Sequence, residues 1–135
     1  MKYFNIEELS DSAVARQLKI RNKPDATVVE NLTALVHHIL DPAREALGEP
    51  IVVNSGYRSP QLNRCVGGVP DSQHVKGEAA DLRTRSAEGN RRLFDILSKL
   101  PFDQLIWEHG SDKAPAWIHV SYKRNGENRG EVLRQ

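Results

Sequence analysis

Residues 72–81 read SQHVKGEAAD, the densest run of polar, potentially reactive side chains in the chain. Within it, His74 and Asp81 lie seven positions apart, with one glycine and two alanines between them. Small residues let a backbone segment or a ligand approach closely. The turn formers in residues 69–76 predict a loop, and residues 79–82 predict a short strand. The run therefore predicts a loop that leads polar side chains into a strand.

Helices are predicted over the first 50 residues. Asn5 and Glu8 have the spacing of an N-terminal capping pair, and Asp25 can cap a longer helix. The apolar residues after Asp25 recur at the spacing of one helix face. They are Val28, Leu32, Leu35, Val36 and Ile39. Asp41-Pro42 either kinks this helix or caps a new one, and Gly48 ends it.

Strands are predicted mainly in the second half of the chain. Residues 51–53 open one strand, and residues 104–108 and 117–122 form two more after a helix that Ser86 caps. The tail after Tyr122 is polar, which predicts irregular structure or an edge hairpin. Because the helices come first and the strands mostly later, the predicted fold class is α+β. We expect N-terminal helices packed on a small antiparallel sheet.

Length, charge and cysteine content exclude several classes of protein. The 135 residues are typical of one domain, residues 1–135. The 19 basic and 18 acidic residues leave a net charge of +1, which argues against nucleic acid or an anionic membrane as a partner. One cysteine excludes an intramolecular disulfide, and no apolar run approaches the ~20 residues of a membrane span. The N-terminus turns acidic where a signal peptide would be apolar, so we expect a protein that is cytoplasmic at synthesis.

Three residues could form a metal site. His74 and Asp81 are joined by His119, which lies in the apolar segment Trp117-Ile118-His119-Val120. Two imidazoles and one carboxylate suffice to bind a catalytic zinc ion and leave its fourth position for water. A single histidine in a strand is more often a hydrogen-bonded structural residue, so the prediction depends on all three residues together.

The combined motif resembles a known family. It comprises Ser72, His74, Gly77, Ala79 and Asp81, followed by Trp117 and His119. This pattern is similar to the zinc signature of the D-Ala-D-Ala carboxypeptidases of metallopeptidase family fifteen, subfamily A, which belong to a fold group with hedgehog domains and lysostaphin-type peptidases. Residues 54–60 (NSGYRSP) and 63–68 also resemble that family. The resemblance spans about residues 51–122.

The resemblance implies an activity and a set of site residues. It implies one catalytic Zn²⁺ bound by His74, Asp81 and His119, and hydrolysis of a peptide bond in bacterial peptidoglycan. It also implies that Arg58 holds a carbonyl or carboxylate oxygen of the substrate and that Ser72 lines the site. We expect Trp117 to line the substrate cleft, and we expect a monomer whose partner is the peptidoglycan peptide.

The general base has to be found separately. Some relatives carry a glutamate three residues before the last histidine ligand, but this chain has Ala116 there. Glu108 is the alternative: if it pairs with Trp117, the register places Ile106 opposite His119 and puts Glu108 and His119 on one sheet face. Glu78 is the second candidate, but its odd offset from both strand ligands predicts that it points away from the metal.

Several alternatives stay open. Removal of a terminal D-Ala and endopeptidase cleavage within the stem peptide both fit the ligand set. A phage or prophage lysis enzyme that acts on the cell wall, either released or carried on a particle, is consistent with the expected lack of an export signal. A non-catalytic, zinc-stabilised module that binds cell wall or protein is the alternative from another class, because the same fold can carry a different function.

Overall fold

A computed structural model describes all of residues 1–135. Its helices are α1 (Ile6–Leu9), α2 (Ala13–Leu18), α3 (Ala26–Leu35), α4 (Asp41–Leu47), α5 (Pro60–Cys65) and α6 (Ala87–Leu97). Its strands are β1 (Val52–Ser55), β2 (Ala79–Arg83), β3 (Gln104–Glu108), β4 (Trp117–Ser121) and β5 (Glu131–Arg134). Helices dominate the first half and strands the second, which confirms the α+β prediction.

Side-chain hydrogen bonds cap the start of five of the six α-helices, including the three caps predicted from the sequence. Asn5 accepts a hydrogen bond from the backbone N–H of Glu8, and Asp25 accepts one from that of Val28. Ser12, Ser59 and Ser86 cap α2, α5 and α6 in the same way. Each cap satisfies a backbone donor that would otherwise lack a partner in the first turn.

The long N-terminal helix continues past Asp41 rather than stopping there. A π-helical segment, Val36–Leu40, joins α3 to α4, and no side chain caps the start of α4. Pro42 lies in the first turn of α4 and has no N–H to donate, and local π-turns are one way in which a helix accommodates an irregularity. The predicted apolar face is buried throughout, from Val28 to Ile39.

The five strands form one sheet in the order β1-β2-β4-β3-β5. β1 with β2, β2 with β4, and β3 with β4 pair antiparallel, whereas β5 pairs parallel with β3. The expectation of an antiparallel sheet is therefore wrong at this edge. The tail is irregular over residues 123–130, as predicted, but it forms no hairpin. Instead, β5 crosses back to lie beside β3 and forms backbone hydrogen bonds with it.

The two faces of the sheet carry different kinds of side chain, apolar on one face and mainly polar on the other. Leu82, Leu105, Ile118 and Val120 point into a single apolar core that also contains the buried face of α3 and residues of α6. Side chains alternate along each strand, so Asp81, His119 and Glu108 emerge on the opposite face. None of the helices is both long and apolar enough to cross a membrane.

Candidate active site

The structure brings His74, Asp81 and His119 together. His74 lies in the loop of residues 69–78 between α5 and β2, here called the His74 loop, whereas Asp81 and His119 lie on β2 and β4. The β2–β4 register pairs Asp81 directly with His119, so their side chains share a face. One potential ligand atom from each residue lies within 4.8 Å of the others, which suits a single metal ion.

The carboxylate of Asp81 lies between the two imidazoles. Its Oδ1 is 3.1 Å from Nδ1 of His119, and its Oδ2 is 3.4 Å from Nε2 of His74. The two histidine rings meet edge to face with their centroids 5.2 Å apart. Both histidines are buried, and the Asp81 side chain is only 15% exposed, so few water molecules can compete for these donor atoms.

A backbone carbonyl orients the ring of His74. Nδ1 of His74 is 2.8 Å from the carbonyl oxygen of Gly56, which can only accept a hydrogen bond, so Nδ1 carries the proton. In the neutral ring, Nε2 then directs its lone pair toward Asp81. A lone pair facing a carboxylate oxygen calls for a cation between them, and imidazole nitrogen with carboxylate oxygen is a donor set that zinc accepts.

The charge state of Asp81 matches that arrangement. Burial acts to raise the pKa of Asp81, but interaction with the imidazoles of His119 and His74, which favours the carboxylate when the rings carry positive charge, outweighs burial and holds the pKa well below its usual range. The group is therefore ionised and available as an anionic ligand over the whole physiological range.

Arg58 reaches the cluster from the segment after β1. Its Nη2 lies 3.7 Å from Oδ2 of Asp81, while Nε donates to Ser55 Oγ and Nη1 donates to Asn63 Oδ1, each at 3.1 Å. Burial lowers the pKa of Arg58 and the charge of Asp81 opposes that effect, but a guanidinium stays protonated in proteins. These bonds hold a cation beside the cluster.

Ser72 has an observed partner within the protein. Its side chain is almost fully buried, and its Oγ accepts a hydrogen bond from the backbone N–H of His74 at 3.2 Å. The backbone N–H of Arg58 in turn donates to the carbonyl of His74. Ser72 thus shapes the His74 loop, and its predicted contact with substrate stays a prediction.

Glu108 and Trp117 lie at one end of the β3–β4 ladder. The predicted register is confirmed, with Glu108 opposite Trp117 and Ile106 opposite His119. Burial raises the pKa of Glu108, and the negative charge of Asp81 adds to that effect, while the charges of the nearby histidines oppose it. Trp117 is partly exposed and lies against the ring of His109, with centroids 4.9 Å apart.

Glu78, the second candidate base, belongs to a different environment. Burial raises its pKa, and the charged groups that act on it are Lys76, Lys123 and Asp103, none of which is part of the cluster. This agrees with the prediction that Glu78 points away from the metal.

Some residues of the site carry no role in the sequence prediction. Asn63 is buried and links Arg58 to the carbonyl of Val69. Gln73 lies in the quoted motif and contacts His119, and Asp103 contacts Gln73 from the start of β3. Of these three residues, only Gln73 could have been found from the sequence, because it lies next to His74 in the motif. The partners of Asn63 and Asp103 depend on how the loops fold.

The fold is α+β, and two imidazoles and a carboxylate converge at one face of its sheet. These features define a class of protein: a domain that can bind a single metal ion. A family model described as Peptidase M15 matches residues 2–121. The chain belongs to this peptidase family, which confirms the family suggested by the motif.

A curated relative matches part of the chain. It is the zinc D-Ala-D-Ala carboxypeptidase of Streptomyces albus G, which is 50% identical over 44 residues. The aligned segment covers 32% of this chain and only 17% of that relative. The chain is therefore similar to a small part of a zinc carboxypeptidase.

Proposed function

We propose that residues 1–135 form a single zinc peptidase domain that hydrolyses peptide bonds in the stem peptides of bacterial peptidoglycan. The observation that carries the proposal is the convergence of His74, Asp81 and His119 on the sheet face that also presents Glu108. Membership of the Peptidase M15 family and similarity to a protein named as a zinc D-Ala-D-Ala carboxypeptidase support the peptidase class and the substrate class.

The three clustered residues would hold the zinc ion. Imidazole nitrogens of His74 and His119 and the ionised carboxylate of Asp81 are its donors, and three protein donors leave one tetrahedral position for water or substrate. Zinc in such a site makes water a better nucleophile near neutral pH and polarises the carbonyl of the bond to be cut.

Glu108 would be the general base. It shares the face of His119 in the β3–β4 ladder and lies near enough to Asp81 for that charge to affect it. As a carboxylate it accepts a proton from the attacking water, and as the acid it passes that proton to the leaving amine. A pKa raised by burial suits a group that must both take up and give back a proton.

Arg58 would bind the substrate rather than the metal. Two of its nitrogens are already held by Ser55 and Asn63, so the guanidinium is fixed in orientation before the substrate arrives. Its charge can then stabilise a carbonyl oxygen or a terminal carboxylate of the peptide. We assign Trp117 to the wall of the substrate cleft and Ser72 to its floor, beside the His74 loop.

The proposed enzyme acts as a monomer at the cell wall, and phage or prophage lysis is one setting in which such a peptidase reaches that wall. The test is to incubate the purified protein with peptidoglycan, with and without a chelator, and to identify the new termini by mass spectrometry. We expect products only without chelator. Released D-Ala would indicate a carboxypeptidase, and new internal termini would indicate an endopeptidase. Products that persist with chelator would contradict the metal mechanism.

Replacing Glu108 tests the proposed base. Glu108→Gln keeps the size of the side chain but cannot accept the proton, so we expect turnover to fall by about 10²–10⁴-fold with zinc content unchanged. Glu127→Gln, at an exposed position in the tail, is the matched control and should leave turnover unchanged. Full turnover by Glu108→Gln would remove this assignment, and binding to peptidoglycan without any product would favour a non-catalytic module.

A further inference from the structure

Gln73 connects the metal cluster to a buried carboxylate. Its Oε1 lies 2.9 Å from Nε2 of His119, and its Nε2 lies 3.2 Å from Oδ2 of Asp103. The side chain therefore has one end in the cluster and the other end on a residue outside it.

Asp103 is completely buried and is held as a carboxylate. The backbone N–H and Nε of Arg129 donate to its Oδ1, and Nη2 of Arg129 donates to its Oδ2 at 2.9 Å. Burial alone would raise the pKa of Asp103, but the bonds and charge of Arg129 outweigh burial and lower it. An ionised carboxylate can only accept hydrogen bonds, so it must face a donor.

This requirement fixes the orientation of the Gln73 amide. Its NH₂ group points to Asp103, and its carbonyl oxygen must therefore point to His119. Because that oxygen can only accept, Nε2 of His119 must carry a proton. In the neutral imidazole Nδ1 then carries the lone pair, and Nδ1 is the nitrogen that faces Asp81 at 3.1 Å.

We propose that Gln73 is a positioning residue that selects the Nε2–H tautomer of His119 and so directs the Nδ1 lone pair to the metal. The inference rests on the proposed zinc site. Acceptors of this kind, bonded to the outer nitrogen of a metal-binding histidine, fix the ring and raise its basicity. Asp103 and Arg129 act one step further out, because they decide which way the amide of Gln73 points.

The side chain of Gln73 can be changed without disturbing its backbone role. The backbone carbonyl oxygen of Gln73 accepts hydrogen bonds from the backbone N–H groups of Lys76 and Glu78. These bonds shape the His74 loop whatever the side chain is. A loss caused by the side chain alone is therefore separable from a loss of loop structure.

The first test is the zinc affinity of Gln73→Met, measured by competition with a chromophoric chelator. Methionine has a similar length but no strong acceptor, so we expect zinc to bind about 10–100-fold more weakly than to the unmodified protein. Gln104→Met is the matched control, because Gln104 also bonds a carboxylate, Glu131 of β5, but forms no side-chain hydrogen bond with the cluster. The control should bind zinc normally, and both variants should still unfold cooperatively in chelator, which shows that the loss of zinc affinity does not come from loss of the fold.

A rescue separates positioning from simple packing. Gln73→Glu places a carboxylate against Asp103 and should also weaken zinc binding. Adding Asp103→Asn removes the repulsion between the two carboxylates, and the new carboxylate still accepts from Nε2 of His119. Part of the lost affinity should therefore return, even though Nη2 of Arg129 loses the charged acceptor that Asp103 provides. Ring ¹⁵N shifts of zinc-loaded protein should place the His119 proton on Nε2 in the unmodified and doubly substituted forms, with faster proton exchange in Gln73→Met.

Two outcomes contradict different claims. If Gln73→Met binds zinc as tightly as the unmodified protein, or if the double substitution is no better than Gln73→Glu alone, the positioning role is wrong while the zinc site stands. If the unmodified protein binds no zinc, the proposed function fails and the positioning role fails with it.

Discussion

At the scale of single residues, hydrogen-bond acceptors outside the cluster determine what the cluster can do. The carbonyl of Gly56 contacts Nδ1 of His74, and Oε1 of Gln73 contacts Nε2 of His119. Each acceptor holds the proton of its histidine on the outer nitrogen. Both inner nitrogens therefore face Asp81, and three donor atoms converge without any need for the side chains to rearrange.

Glu108 gives a prediction at the same scale. Since burial and the charge of Asp81 both raise its pKa, the carboxyl of zinc-free protein should titrate above the ordinary value of 4.5. The folded protein then favours the protonated form of Glu108. The free energy of unfolding should therefore decrease as the pH rises through the folded pKa and Glu108 ionises. Added zinc should lower this pKa, because a nearby cation favours the carboxylate. Carbon-13 titration of the side-chain carboxyl measures both effects, and a zinc-free value at or below 4.5 would contradict them.

At the scale of elements, helix α3 determines where the His74 loop lies. Gly77 has a φ of 74°, a left-handed conformation that favours glycine, and it packs against α3. A β-carbon at this position would lie 2.8 Å from Cγ1 of Val28 and 2.9 Å from its carbonyl oxygen. Asn31 adds a hydrogen bond from its side chain to the carbonyl of Lys76. The N-terminal helix thus supports the loop that carries one ligand.

Gly77→Ala tests this support. The left-handed backbone should cost about 1–2 kcal/mol for alanine, and the overlap with Val28 should add about 1–3 kcal/mol. Gly67→Ala is the matched control, since Gly67 has a φ of 76° but nothing within 4 Å of its added β-carbon. The free energy of unfolding, measured with denaturant, and the zinc affinity should both fall more in Gly77→Ala than in Gly67→Ala. Equal losses in the two variants would show that α3 does not hold the loop.

At the scale of the whole molecule, the candidate site joins parts of the fold that are distant in sequence. One ligand lies in the His74 loop and the other two lie on β2 and β4, while Glu108 comes from β3. These positions exist together only when the sheet has formed and the loop has packed on α3. A metal ion that binds all three ligands therefore binds the folded state in preference to the unfolded chain.

Zinc should accordingly stabilise the protein against unfolding. At a free zinc concentration a thousandfold above the dissociation constant, the expected gain is about 4 kcal/mol, seen as a higher Tm by calorimetry. Chelator should reverse the gain. Asp81→Asn removes the anionic ligand, so its Tm should respond little to zinc, whereas Asp71→Asn at an exposed position should respond like the unmodified protein. A zinc response that survives in Asp81→Asn would place the metal elsewhere.

The amino-acid sequence determined the helix faces, the caps, the β3–β4 register and the set of residues that come together. The helix faces and the register follow from local periodicity, because a buried face leaves apolar residues at helical or alternating spacing. The caps follow from polar residues placed just before the helices, and the set of site residues follows from the polar motif and its resemblance to a known family. The register of Glu108 against Trp117 is one example, since it places the apolar residues of both strands on one buried face: Leu105, Trp107, Ile118 and Val120.

Only the tertiary structure decided the partners that lie far apart in sequence. The polar tail gives no alternating apolar signal, yet β5 pairs parallel with β3 because the sheet leaves that edge free for it. Asp103 meets Gln73 and Arg129 for the same reason: its neighbours are set by which loops end beside the start of β3. Periodicity records which face of an element is buried, whereas polar contacts between elements depend on the order of the strands.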